Sequence, residues 1–482
     1  MDDRRWDLVV IGGGAAGNGA ARLAGKLGFK CAMIERDRIG GTCTWVGCVP
    51  SKALLQAAGL CWQLRHGPHF GLRLHDPQVD SSGAMEWVRE ITNRIGGGPS
   101  EAKLAGLGVE LVRESAAFED ERTVLAGNRE LCGRRIVIAT GSRPAVPPIE
   151  GLQKAGYLTN LTLFDLPQPP RSMIIIGGGP VGIEMAQAFN RLGTDVTVLE
   201  ATGRILPADD AELAEMLRLQ LAEEGVHFTL NATATEVERD EAGRRIVTAS
   251  VDGRVQRFEA EELLVAVGRE AAVDRIGLER AGVSGGPEGI AVNDRLQTAN
   301  PHIYAAGDAL GRWQFTHMAT IEGKHAVRNA LLGEDEPMRY DAAGWCTFTD
   351  PELASVGINE EQAQERGLDC EVHRIDPHRI DRARIEVRPP GAARVIAEPN
   401  GGRILGAQIL ASRAGDIIQE FTAAISHGIP FRALVEEVHI YPTLPIAHYA
   451  PGQTDWLLAQ KGPGWLERIM REGGFSGREE QQ

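Results

Sequence analysis

With 482 residues, 43% of them hydrophobic and 24% charged, the chain has a globular composition and is too long for one ordinary core, so several domains are expected. A formal charge of −15 with no long basic block argues against nucleic acid as a partner. No apolar run approaches the ~20 residues of a membrane helix, and seven scattered cysteines do not make a secreted disulfide framework; the expectation is a cytoplasmic protein without a transmembrane segment.

In chain order, DLVVIGGGAAGNGAARLAGKLGFKCAMIE (7–35) reads as an apolar strand, a glycine turn, an alanine-rich helix and a second strand ending in Glu35. Its G-x-G-x-x-G sets Gly12 at the tight turn, Gly14 where a pyrophosphate nears the backbone and Gly17 where helix and strand pack closely. The helix start then offers free N–H groups and a positive dipole end to phosphate. Next, GGTCTWVGCVPSK (40–52) places Cys43 and Cys48 five apart. Zinc would need a second Cys/His pair at matching spacing, which is absent, so no metal site is expected. A static disulfide does not suit a cytoplasmic chain. A pair that opens and closes fits better, near a helix start where the dipole favours thiolate.

RRIVIATGSRP (134–144) ends an apolar strand at Thr140 and Gly141, where the chain crosses between domains. SMIIIGGGPVGIEMAQAFNRLGTDVTVLE (172–200) then repeats the first unit, with Gly177, Gly179, Gly182 and a terminal Glu200. Strand, helix and acid are present twice, so two dinucleotide sites are expected. A carboxylate at 200 accepts hydrogen bonds from ribose hydroxyls and repels a 2′-phosphate, which favours NADH over NADPH. ELLVAVGRE (262–270) ends a strand at Gly268, HIYAAGDAL (302–310) presents Asp308 at a turn, and Thr316 opens a helix in FTHMATIEG. From TFTDPELASVGI (347–358) a β-rich, then helical region runs to about residue 452. For the tail beyond it, with Trp456 and Trp465, a docking helix and a disordered end are both open.

This order of motifs resembles the pyridine nucleotide–disulfide oxidoreductases, a family that includes dihydrolipoamide dehydrogenase, glutathione reductase and mercuric reductase, over roughly residues 7–450. The resemblance implies an α/β fold: two Rossmann-like dinucleotide-binding domains, for FAD and NAD, and a C-terminal α+β dimerisation domain. Its boundaries are 1–147 with 269–341 for FAD, 148–268 for NAD(P), 342–452 for dimerisation and 453–482 for the tail. It also implies a homodimer. FAD contacts would come from Gly12, Gly14, Gly17, Glu35 (adenosine ribose), Gly41, Thr42, Lys52, Ala116, Thr140, Gly141, Asp308 (ribityl chain) and Thr316. Nicotinamide nucleotide contacts would come from Gly177, Gly179, Gly182, Glu200 and Gly268. Cys48 is then the thiol facing the flavin, Cys43 the thiol that meets substrate, and Lys52 with Glu184 an ion pair beside the flavin. Thr44 and Trp45 depart from the Val/Leu-Asn usual between these cysteines. Trp45 reads as core filling, with a narrowed substrate approach as the alternative.

One family feature is missing. The H-P-T…E motif, whose His–Glu pair shuttles protons for the other subunit, here reads HIYPTLPIAHY (439–449), with Tyr441 before Pro442 and Ile446 at the Glu position. Tyr441, with an unperturbed pKa of ~10, is a poor base near neutrality; His439 and His448 are the remaining candidates. An aromatic residue at 441, the EMAQAFNRLGTDVTVLE segment and the IDRA stretch at 380–383 resemble the mercuric-reductase-like branch, whereas the ending GGFSGREEQQ lacks that branch's vicinal cysteines. The expectation is an enzyme passing electrons from NADH by way of FAD and Cys43–Cys48 to an electrophile or metal–thiolate. A lipoyl dithiol or another disulfide is the alternative, and a slow-turnover FAD/NAD redox sensor is the rival from another class.

Overall fold

In RWDLVVI, the strand Arg5–Ile11, Leu8, Val9 and Val10 are fully buried, as a central parallel strand covered on both faces requires. The computed structural model describes residues 5–66, 71, 80–98, 100–376, 380–386, 391–444, 461–462 and 464–473. The strand pairs in parallel with Cys31–Ile34 on one side and Arg129–Ile138 on the other, and Val109–Val112 extends the sheet beyond Cys31–Ile34. Thr123–Ala126 and Ile303–Ala305 share the far side of Arg129–Ile138, the first antiparallel and the second parallel. Ala116–Phe118 closes that end.

Two helices cover this sheet at unusually close range. Ala15–Lys26 buries mainly Ala and Gly, and it meets Thr316–Val327 where a Cβ on Gly323 would lie 2.1 Å from the Ala16 carbonyl oxygen. Only glycine permits that contact.

The second nucleotide unit repeats the pattern. His227–Thr229, Asp195–Leu199, Ser172–Ile176 and Glu262–Val265 form a parallel sheet in that spatial order. An antiparallel sheet of Ala232–Arg239, Arg245–Val251 and Arg254–Ala260 follows it in sequence. The chain passes between the two units along a short antiparallel ribbon, Ser142–Pro144 with Arg269–Ala271.

These elements belong to one compact unit, Met1–Leu206 with Leu221–Tyr340. The other, Pro207–Gln220 with Asp341–Gln482, holds a five-stranded antiparallel sheet ordered Gly344–Thr347, Glu352–Gly357, Ile404–Ala411, Ala392–Ala397, Glu371–Ile375. Helix Ala414–His427 buries Ile418, Phe421 and Ala424 in that unit's core. Segment 207–220 groups with it rather than with the expected 148–268 region, for a physical reason. Asp209 accepts hydrogen bonds from Trp345 Nε1 (2.8 Å) and Ser355 Oγ (2.7 Å), and Asp210 pairs with Arg394 at 2.8 Å, both buried. A buried charge of that kind holds its partner segment firmly. In the tail, Trp465–Glu472 is helical; Trp456 lies outside the described residues. Among the described residues no helix is long and apolar enough to cross a membrane.

Candidate active site

The two cysteines sit on consecutive helices. Gly40 (φ +107°) and Gly41 (φ +59°) turn the chain into the short helix Gly41–Val46, which carries Thr42 and Cys43. After Gly47, Cys48 opens the 19-residue helix Cys48–His66, so its sulfur lies at the positive end of a long dipole. The two thiols interact with each other, and their protons are unequally held. Cys48 is lowered to about 6. Donation from the Cys43 thiol is the largest cause, opposed by burial and aided by Thr316 and the Lys52 charge. Thr316 Oγ1, at the start of helix Thr316–Val327, is 3.5 Å from Cys48 Sγ. Cys43 is driven strongly upward by its hydrogen bond to Cys48, then by burial and by the neighbouring charge. The arrangement is a thiolate at Cys48 facing a protonated thiol at Cys43.

One turn along, Lys52 Nζ bonds both oxygens of Glu184, at 3.0 and 2.8 Å. Glu184 lies on helix Pro180–Arg191 and its side chain is only 6% exposed, so the Lys52 ammonium is the opposite charge that a carboxylate buried there needs. The same two helices are tied again by Arg65, which donates to the Arg191 carbonyl at 2.9 Å. Arg191, buried on Glu224, stacks 4.9 Å above Trp62.

The two glycine turns are built alike. A Cβ on Gly12 would lie 2.2 Å from the Ala139 oxygen and one on Gly177 2.4 Å from the Ala266 oxygen. On Gly17 and Gly182 it would strike the carbonyls of Gly12 and Gly177 at 1.8 and 2.1 Å. Gly14 and Gly179, by contrast, face open space, which leaves the backbone at each helix start accessible to phosphate. Glu35 accepts from Gly13 N and Asp37 N, both at 2.7 Å. Glu200 accepts from Gly178 N at 2.6 Å and from Thr202 N and Oγ1 at 2.7 Å. Each carboxylate is thereby aimed beside its glycine turn, with lone pairs left for a ribose. Near the first turn, buried Thr140 Oγ1 and Asn18 Oδ1 have no hydrogen-bond partner, a cost that a bound polar ligand would remove. The residues present fit a dinucleotide at each turn, and FAD at the first.

Asp308 lies in the turn Gly307–Leu310 after strand Ile303–Ala305. Its Oδ2 accepts from Ser142 Oγ at 2.5 Å, and Ser142 Oγ in turn accepts from Arg269 Nε at 2.8 Å. Beneath the turn, fully buried Glu322 accepts from Gly307 N and from the Tyr340 hydroxyl, each at 2.7 Å. Burial pushes the Glu322 carboxyl upward. Sequence reasoning missed Ser142, Arg269, Glu322 and Tyr340; the polar residues in ATGSRP and VGRE were the available signal. Ala116 is half-buried at the start of strand Ala116–Phe118. Gly141 (φ +75°) and Gly268 (φ +128°) flank the ribbon, where side chains would be strained.

In the second unit, the exposed Tyr441 donates its hydroxyl to Asp381 Oδ2 at 3.0 Å. His439 has both ring nitrogens engaged, Nε2 with Glu420 Oε1 (2.9 Å) and Nδ1 with the Glu437 carbonyl (3.1 Å). Ile446 and His448 lie outside the described residues.

Comparison with known proteins decides the family. The profile for pyridine nucleotide-disulphide oxidoreductases matches residues 6–323, and that family's dimerisation domain matches 344–448. The chain belongs to this family. It is 34% identical over 460 residues to a mercuric reductase of Streptomyces lividans, covering 93% of this chain and 96% of that protein. It is 33% identical over 443 residues to dihydrolipoyl dehydrogenase of Geobacillus stearothermophilus, covering 91% and 93%. The Cu(II) complex of RclA, an HOCl-induced flavoprotein disulfide reductase from Escherichia coli, superposes with a TM-score of 0.82 at 28% identity, over 94% of this chain and 98% of that one. The chain is thus an FAD-dependent pyridine nucleotide–disulfide oxidoreductase, of a family that binds FAD and NAD(P).

Proposed function

We propose that the chain is an NADH-preferring, homodimeric reductase whose Cys43–Cys48 pair delivers two electrons to a soft metal electrophile. FAD, held by the Gly12–Gly17 turn, Glu35, Thr140 and Asp308, supplies when bound the two-electron link between dihydronicotinamide and the thiols. Cys48 keeps the negative charge, with Thr316 and Lys52 favouring it, and Glu184 keeps Lys52 in place. Cys43 keeps the proton until an acceptor arrives. In each turnover the thiolate–thiol pair loses two electrons and the one proton held by Cys43 and forms one S–S bond. A two-electron acceptor, or two one-electron acceptors, takes the electrons.

The observation that carries the choice of acceptor is Tyr441. Where related dithiol oxidases place histidine, this chain has a phenol already donating to Asp381, and His439 has both nitrogens occupied. A soft metal ion displaces a thiol proton as it binds, so it needs no base. A dihydrolipoyl dithiol must lose its own proton first. The mercuric reductase relatives and the Cu(II) complex of RclA support the same reading. Dihydrolipoamide oxidation should therefore be slow at pH 7 and rise towards pH 9, where a free thiol of pKa ~8.5 ionises unaided. Missing general-base help is worth ~10²–10⁴-fold, and Tyr441→His with Ile446→Glu should recover part of it. Steady-state assays with dihydrolipoamide, Hg(II) and Cu(II) check this; fast dihydrolipoamide oxidation at pH 7 by the unaltered chain sinks it.

Nucleotide preference follows from Glu200, which Thr202 and Gly178 hold at the second turn. NADH should exceed NADPH by at least ~10-fold in kcat/KM, or ~1.4 kcal/mol. Glu200→Ala should narrow that gap, and equal efficiencies for the unaltered chain would contradict the assignment.

A further inference from the structure

We propose that Trp45 is the positioning residue of the thiol pair: seated in the notch that Gly96 leaves in helix Ala84–Gly96, it fixes helix Gly41–Val46 and holds Cys43 against Cys48. The inference rests on the reading of these cysteines as the redox centre.

Helix Gly41–Val46 has six residues and none is buried, so no core side chain of its own anchors it. Thr44 Oγ1 bonds the neighbouring Gly40 carbonyl, at 3.1 Å. Gly41 packs against the Gly14 backbone, where a Cβ would lie 2.8 Å from the Gly14 Cα, and two side-chain contacts tie the C-terminal half of the helix to other elements. Asn160 Nδ2 donates to the Val46 carbonyl at 3.0 Å. The Trp45 ring meets Gly96 so closely that a Cβ there would lie 2.5, 2.6 and 2.8 Å from three of its atoms. The indole is then locked from two more directions. Its N–H donates to the Ile39 carbonyl at 2.8 Å, and the Arg38 guanidinium lies 4.0 Å over its face, a favourable cation–π distance. A ring so held is part of the packing, two residues from the Cys43 thiol whose hydrogen bond favours the Cys48 thiolate. Loosening the ring frees Cys43, weakens that donation and lowers the effective concentration of one sulfur at the other.

The test uses the flavin-loaded enzyme, held anaerobically in dithiothreitol redox buffers, then alkylated with iodoacetamide and read by mass spectrometry of peptide 39–52. Gly96→Ala removes the notch without touching the loop, Trp45→Ala removes the ring, and Trp45→Phe keeps a ring without its N–H. In the first two, the Cys48 alkylation midpoint should rise by roughly one pH unit, the scale of one charge-assisted hydrogen bond, and the dithiol–disulfide equilibrium should depart from that of the unaltered chain. Trp45→Phe should lie between them and the unaltered chain. Should Trp45→Ala fail to fold, Gly96→Ala and Trp45→Phe carry the same readout. If melting temperatures fall while midpoint and equilibrium stay within about twofold, Trp45 only packs and the proposal is overturned. If the unaltered pair shows no dithiol–disulfide equilibrium at all, the redox reading itself falls and takes this proposal with it.

Discussion

Cys43→Ser and Cys48→Ser should each lower NADH-dependent turnover of any acceptor by ~10³-fold or more, as when one member of a working nucleophilic unit is removed. The two variants should differ in what remains. In Cys43→Ser the thiol donor that contributes most to the low Cys48 value is gone, so Cys48 should titrate above about 6, while Thr316 and Lys52 still favour its thiolate. In Cys48→Ser the hydrogen bond and charge that drive Cys43 upward are gone, so Cys43 should fall back towards an ordinary ~8.5. Iodoacetamide rates against pH on the reduced variants measure both. Opposite shifts would reverse the assignment of proton and charge within the pair.

Lys52→Met should cost the fold more than any surface substitution. It leaves a carboxylate with 6% exposure without its cation, and breaking a buried pair costs ~3–5 kcal/mol. Because the Lys52 side chain is itself 36% exposed, solvent screening brings the expected loss down to ~2–3 kcal/mol. The same change removes a charge that lowers Cys48, so Cys48 should titrate higher. Glu184→Gln removes a charge that raises it, so Cys48 should titrate lower still. Calorimetry and alkylation on the two variants check both parts. Shifts of Cys48 in the same direction would show that the pair acts on the thiols through packing rather than charge.

The nucleotide turns were legible because their demands are local and come twice: Gly12 and Gly177, Gly17 and Gly182, Glu35 and Glu200 meet the same neighbours at matching spacing. The cysteine pair was legible for a similar reason, as two thiols on one short run. The rest depends on distant partners that no periodicity announces. Ser142, Arg269 and Asp308 converge from three separated segments. Glu322 looks like an ordinary helix charge until Gly307 and Tyr340 are seen to bond it. Gly96, in RIGGGPS, carries no motif, yet it is the notch for a ring 51 positions earlier. Segment 207–220 reads as part of the second nucleotide unit, and only Trp345, Ser355 and Arg394 reveal where its two aspartates are tied.

The central claim is that NADH opens a Cys43–Cys48 disulfide. The most direct measurement is a thiol count: the oxidised, flavin-loaded enzyme is alkylated under argon before and after one equivalent of NADH, and peptide 39–52 is weighed. The account predicts a peptide with neither cysteine alkylated beforehand and with both Cys43 and Cys48 alkylated afterwards. A peptide carrying the same label before and after NADH, while NADH is nevertheless consumed with an acceptor present, would contradict it.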